Sequence, residues 1–190
     1  MGATGSFGVI EWLFRSLHLQ STVFSVIEVL DNAADKLKGK FKDAPSIEAS
    51  IRDTLGATYM SLGKYTAAEP HLERALALRR GQFGEEHPDT LKSMAHLSLL
   101  YMKQFRLEEA ESLRLKTLEG RRRVLGEEHP DTVSSISNLG WVYYMQGRHK
   151  EAEPLFVKAL EIRRRILGEE HPGTLWSMTS LAGLYEAQGR

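Results

Sequence analysis

The chain has 190 residues, with 25 Lys and Arg balancing 25 Asp and Glu, and it contains no cysteine. That length suffices for an ordinary hydrophobic core, while the missing cysteine excludes disulfide frameworks, thiolate metal sites and thiol nucleophiles and fits a cytoplasmic protein. Zero net charge argues against a protein that coats nucleic acid, and the most apolar early stretch, Val9 to Phe14, is broken by Glu11 and too short for a bilayer, so neither nucleic acid nor membrane is expected as a partner.

Residues 1–20 form a poorly defined N-terminal segment. Residues 21–44 follow, with Val23, Ile27, Leu30, Ala34, Leu37 and Phe41 at spacings of three or four. This predicts one amphipathic helix, capped by Ser21 or Thr22, that covers the open end of whatever comes next.

Beyond it the sequence repeats. Gly84-Glu85-Glu86-His87-Pro88-Asp89-Thr90 returns at Gly126 to Thr132 and, with Gly173 in place of Asp, at Gly168 to Thr174; both offsets are 42 residues. Leu55, Leu97, Leu139 and Leu181 keep the same period, as do Tyr59, Tyr101, Tyr143 and Tyr185, and the Ala-Glu pairs at 68, 110 and 152. The expected units are 45–86, 87–128 and 129–170, with a half unit at 171–190. Such a period marks stacked repeats rather than one globular core.

Each unit reads as two helices. In the third, Ile136, Leu139, Gly140 and Tyr143 fall at helical spacing, Gly147-Arg148 makes a turn, and Ala152, Leu155, Phe156, Ala159, Leu160 and Ile162 form a second apolar stripe. Gly168 is expected to close its helix in the left-handed conformation, Pro172 to open the next, and Asp89 and Asp131 to lie in first turns where the helix dipole favours them.

These residues resemble the tetratricopeptide repeat family: Ile136, Leu139, Gly140, Tyr143, Ala152, Phe156 and Ala159 match its pattern. The 42-residue period and the Gly-Glu-Glu-His-Pro-Asp-Thr loop are similar to its kinesin-light-chain-like subclass. The resemblance implies an all-α, right-handed superhelical solenoid of antiparallel helix pairs, about three and a half repeats behind the N-terminal capping helix. Unit two departs from the pattern. Phe105 replaces the turn glycines Gly63 and Gly147, Ser112 replaces Pro70 and Pro154, and Gly120 falls inside a helix at a cost of about 1 kcal/mol relative to Ala, so this unit should be the least regular.

The last helix, Thr174 to Gln188, is expected to expose Leu181, Leu184 and Tyr185, so that either the chain is a fragment of a longer array or another molecule covers that face; a monomer or weak self-association through the uncapped helix is expected. Residues 28–56 also resemble the segment that introduces such repeats in bacterial proteins carrying a Ser/Thr protein kinase domain, so a detached regulatory region of a kinase is the alternative role. No phosphate-binding loop or His-Arg-Asp or Asp-Phe-Gly motif of a kinase is present.

No catalytic, cofactor or metal set is assigned. His87, His129 and His171 are one repeat apart, roughly 10 Å at helix packing distance, too far for one metal. The arginine runs Arg79-Arg80, Arg121 to Arg123 and Arg163 to Arg165 would align into a stripe, a candidate polyanion contact, yet each precedes a Glu-Glu pair that offsets it.

The resemblance implies a concave groove lined by the first helix of each unit, a non-enzymatic surface for a protein or peptide partner. Counting from the matched leucines, groove positions are Asp53, Thr54 and Met60 in unit one, and Lys92, His96, Met102 and Lys103 in unit two. Unit three supplies Asn138, Trp141, Tyr144 and Met145, and the half unit Trp176. Asn138 matches the family position whose amide holds a peptide backbone. Aromatic rings and adaptable Met side chains suit an extended peptide with apolar anchors, and Lys92 and Lys103 would suit one acidic residue of it.

Overall fold

The computed structural model describes residues 26–36, 40–41 and 43–190; the expected cap at Ser21 or Thr22 and the segment 1–20 lie outside the described residues. A first helical stretch, residues 26–36 (α1), is followed by α2 (Pro45–Ser61), α3 (Tyr65–Phe83), α4 (Pro88–Lys103), α5 (Leu107–Leu125), α6 (Pro130–Met145), α7 (His149–Leu167) and α8 (Pro172–Ala187). No strand occurs among the described residues. From α2 onward each helix packs on its sequence neighbours, and three- or four-residue links make successive helices antiparallel.

Two glycines set how closely the pairs approach. A Cβ at Gly56 would stand 2.5 Å from Leu72 Cγ, and one at Gly140 would stand 2.9 Å from Phe156 Cε1, so α3 and α7 press Leu72 and Phe156 onto bare backbone of α2 and α6. Leu72 and Phe156 are almost wholly buried, each contributing about 2 kcal/mol of apolar burial.

Helix A of each later pair opens the same way. His87, His129 and His171 stand in extended conformation just before the helix, and their Nδ1 atoms accept from the backbone N–H of Asp89, Asp131 and Gly173 at 3.2, 3.1 and 3.0 Å. The repeated histidine is therefore an N-cap, a role usually taken by Ser, Thr, Asp or Asn, which is why the sequence did not point to it. At the other end, Gly168 closes α7 at φ 86° and ψ 168°. This is not the left-handed helical conformation expected but an extended region essentially restricted to glycine.

Unit two is regular in helix length, contrary to expectation: α5 has 19 residues, as do α3 and α7. Gly120 is tolerated because Leu91 of α4 fills the space a side chain would take, at 2.6 Å from its ideal Cβ. Phe105 keeps the turn geometry of Gly63 and Gly147 with φ 58°, the one positive-φ residue among the described residues that is not glycine, and its ring is left exposed.

Polar ladders run along the stack with the repeat period. At the helix A to B turns, Glu69 accepts from Gln104 at 2.9 Å and from Arg106; Glu111 accepts from Gln146 and Arg148 at 2.9 and 2.7 Å; Glu153 accepts from Arg190 at 3.1 Å. Arg106, Arg148 and Arg190 also cover Tyr101, Tyr143 and Tyr185. The helix α1 enters this scheme. Tyr59 donates to Asp31 at 2.5 Å, 28 residues back, as Tyr101 does to Glu73 at 3.3 Å, so α1 occupies the place of a helix B before α2. Burial and the Asp31 carboxylate push the Tyr59 hydroxyl well above the usual tyrosine range.

Each arginine of a run has its own task. Arg79, Arg121 and Arg163 turn inward and donate to Ser93, Ser135 and Ser177 of the next helix A at 2.6, 2.9 and 2.5 Å. Arg80, Arg122 and Arg164 pair with Glu85, Glu127 and Glu169 of their own loop, and Arg123 and Arg165 reach back to Glu86 and Glu128 of the preceding one. A stripe of free cations is not formed; the runs bind repeat to repeat.

The half unit is less open than expected. Leu184 is fully buried against Ala152 and Phe156, with Leu181 partly buried beside it and Tyr185 beneath Arg190. The large apolar side chains α8 leaves in solvent are Leu175 and Trp176.

Candidate functional site

The expected groove residues lie on α2, α4, α6 and α8, and the structure sorts them into two groups. Asp53 is a correction: it is 7% exposed and bonded, not a free groove side chain. It accepts from Arg79 at 3.2 Å and lies 2.8 Å from His96 Nδ1, so it ties α2 to α3 and α4. Burial opposes its ionisation, but the bond to His96 and the Arg79 charge outweigh it and hold its carboxyl below the usual range. His96 is half-buried and occupied by that bond. Met60 and Met102 are partly buried and pack against the first core cluster.

Thr54, Lys92, Lys103, Met145 and Trp176 are exposed, and Asn138, Trp141 and Tyr144 are half-buried. The aromatic members converge. Trp141 meets Tyr144 edge-on at 5.2 Å, Phe156 at 5.6 Å and Trp176 of α8 at 6.2 Å between ring centroids. Tyr144 stacks on His149, and Arg163 covers Trp176. Beside this cluster the Trp141 Nε1 is buried with no acceptor, and the half-buried Asn138 amide makes no hydrogen bond to protein among the described residues.

On α4 a cavity of about 440 Å³ is lined by Asp89, Lys92, Ala95, His96, Arg121 and Asp131 among others, so both signs of charge face it. Ala95 stands 26 residues before Arg121, as Asp53 stands before Arg79 and Ser137 before Arg163. Arg79 and Arg163 each donate to that residue, at 3.2 and 2.9 Å; Arg121 meets an alanine there and, besides the shared bond to serine, donates to the Asp131 carbonyl.

Sequence reasoning missed Arg114. It occupies the position on α5 that Leu72 holds on α3 and Phe156 on α7, and it is 5% exposed. Its Nε is buried without a partner, and its Nη2 meets only Met102 Sδ at 3.9 Å. Burial and the nearby Arg121 charge push its pKa down to about 10, so it remains charged at neutral pH. The signal was available: in the 42-residue register an arginine stands in a column of leucine and phenylalanine.

A family model described as tetratricopeptide repeat matches residues 47–113, 93–165 and 146–190, well over half of the chain. The chain belongs to the tetratricopeptide repeat family. Its stack is similar to a crystal structure of nearly identical TPR-like repeats assigned to a kinesin light chain of Podosopora anserina. That similarity has a TM-score of 0.75 and 27% identity and covers 100% of this chain and 89% of the other. BtubC (BKLC) from P. vanneervenii shares the fold at a TM-score of 0.70 and 23% identity, over 97% of this chain and 81% of its own. These tetratricopeptide repeats are thus kinesin-light-chain-like. A 58-residue stretch is 46% identical to a nucleotide-binding leucine-rich repeat (NLR)-like protein of Hyaloscypha variabilis, spanning 28% of this chain and 6% of that relative. Among the described residues no helix is long and apolar enough to cross a membrane, and no group of His, Cys, Asp or Glu is placed to hold a metal ion.

Proposed function

We propose that this tetratricopeptide repeat stack is a protein-interaction module that takes an extended peptide segment along the face formed by α2, α4, α6 and α8. The observation that carries this reading is the pairing, on α6, of an aromatic cluster with an unused hydrogen-bonding amide. Trp141, Tyr144 and Trp176 offer apolar area with few rotors, and the free Asn138 amide can both donate to and accept from one peptide unit of a ligand backbone.

Trp176 and Asn138 are the informative substitutions, because Trp141 packs on Phe156 and its loss would disturb the repeat itself. Partners captured from the native source by the wild-type chain are expected to be lost by Trp176→Ala and weakened by Asn138→Ala, while both variants keep the wild-type helical signal and melting midpoint. Capture unchanged in the double variant would move the binding surface away from this face.

A further inference from the structure

The helix α1 carries apolar residues on two faces, and α2 covers one of them. Asp31, which accepts from Tyr59, and Leu30 and Ala34, which pack against the first core cluster, belong to the covered side. Val26, Val29 and Ala33 are exposed, Val29 at 64%. One period on, the same columns hold Ala68, His71 and Ala75 of α3, and all three are buried. They are buried because α2, the helix A of that pair, lies against them. Tyr59 stacks on His71 at 5.6 Å, and the Gly56 backbone comes close to Leu72 and Ala68. By its register α1 is therefore a helix B, and among the described residues the side that a helix A covers in the next unit is open to solvent.

The sequence just ahead of α1 keeps the missing pattern. Phe7, Ile10, Leu13 and Leu17 stand one period before Ala49, Arg52, Leu55 and Tyr59, and two periods before Leu91, Met94, Leu97 and Tyr101, the last four all buried. Leu17 precedes Val26 by nine residues, as Tyr59 precedes Ala68. The turn column, Gly63 and Gly147 elsewhere, holds Ser21, and Phe105 shows that this column takes a residue other than glycine. One column departs. Phe14 stands one period before Gly56, where α2 and α3 make their close approach, so a pair built here would sit further apart.

We propose that the exposed face of α1 is a docking surface for residues 7–17 of this same chain, with Phe7, Ile10, Leu13 and Leu17 set against Val26, Val29, Leu30 and Ala33. The two segments form a further, diverged repeat ahead of Pro45 and lengthen the row of first helices by one member. A short link keeps the segment beside α1 at high effective concentration, which favours it over the same residues of a second copy. The proposal does not depend on the peptide-binding reading.

Hydrogen exchange of the full chain, read by mass spectrometry on peptides covering 7–17, 26–36 and each later helix, tests it. In the wild type the amides of 7–17 should exchange at least about tenfold more slowly than in an unstructured chain. Val29→Asp with Ala33→Asp charges the face from the α1 side, at residues that are exposed now, and should abolish that protection while α2 to α8 keep wild-type rates. Leu13→Asp with Leu17→Asp charges it from the other side, and should speed exchange both in 7–17 and in α1.

Wild-type amides of 7–17 that exchange as an unstructured chain overturn the proposal. So does protection that the Val29 and Ala33 variant leaves intact, which would set the segment against another surface. Protection lost on dilution of the wild type overturns it too, because a second copy would then supply the cover.

Discussion

Arg79 Nη1 lies 3.2 Å from Asp53 Oδ2, and both side chains are less than a tenth exposed. This pair, extended to Ser93 and His96, joins the first three helices of the repeat array. Removing the carboxylate by Asp53→Ala leaves Arg79 buried with Ser93 alone and should cost about 3 kcal/mol, read by urea unfolding.

The pH dependence follows from the same group. The folded-state pKa of Asp53 lies below its unfolded value of about 4, so its contribution is complete above that pH and is lost as pH falls through the folded pKa. Glu48, Glu69 and Glu111 are lowered as well and act in the same direction. The melting midpoint should therefore decline on acidification below about pH 4, and Asp53→Asn should flatten part of that decline. An acid limb identical in the variant would assign it to the glutamate ladder instead.

Gly56→Ala tests close approach against helix propensity. Alanine is the better helix former by about 1 kcal/mol, yet its Cβ would meet Leu72 Cγ at 2.5 Å inside a filled core. Overpacking should win, giving a net loss of about 2 kcal/mol on chemical denaturation. A stabilised variant would mean α2 and α3 separate easily.

Phe105→Gly should go the other way. The phenylalanine holds φ at 58° and is 78% exposed, so it carries strain without compensating burial. Glycine relieves about 1 kcal/mol of that strain, and the thermal midpoint should rise.

His129→Ala should remove the cap of α6 at a cost of about 1 kcal/mol, and His129→Asp should restore most of it, because a carboxylate also accepts from the helix N–H groups and favours the dipole. Equal losses in the two variants would show that the ring acts through packing rather than through Nδ1.

What the sequence determined by itself was everything carried by periodicity. Leu55, Tyr59, Ala68 and their copies at 42-residue intervals dictate amphipathic helices of repeating length, and the helix boundaries follow from Pro88, Pro130, Pro172 and the loop glycines, because these signals are local. Asn138, Trp141 and Trp176 could be placed on one face by counting alone. What only the tertiary structure decided depends on partners from other repeats. Asp53 turned from a groove residue into a buried tie because Arg79 and His96 reach it from α3 and α4. Leu184 was covered because α7 offers Ala152 and Phe156. Arg114 became conspicuous because burial without an acceptor is a property of its surroundings, set by which side chains the stack brings within hydrogen-bonding distance.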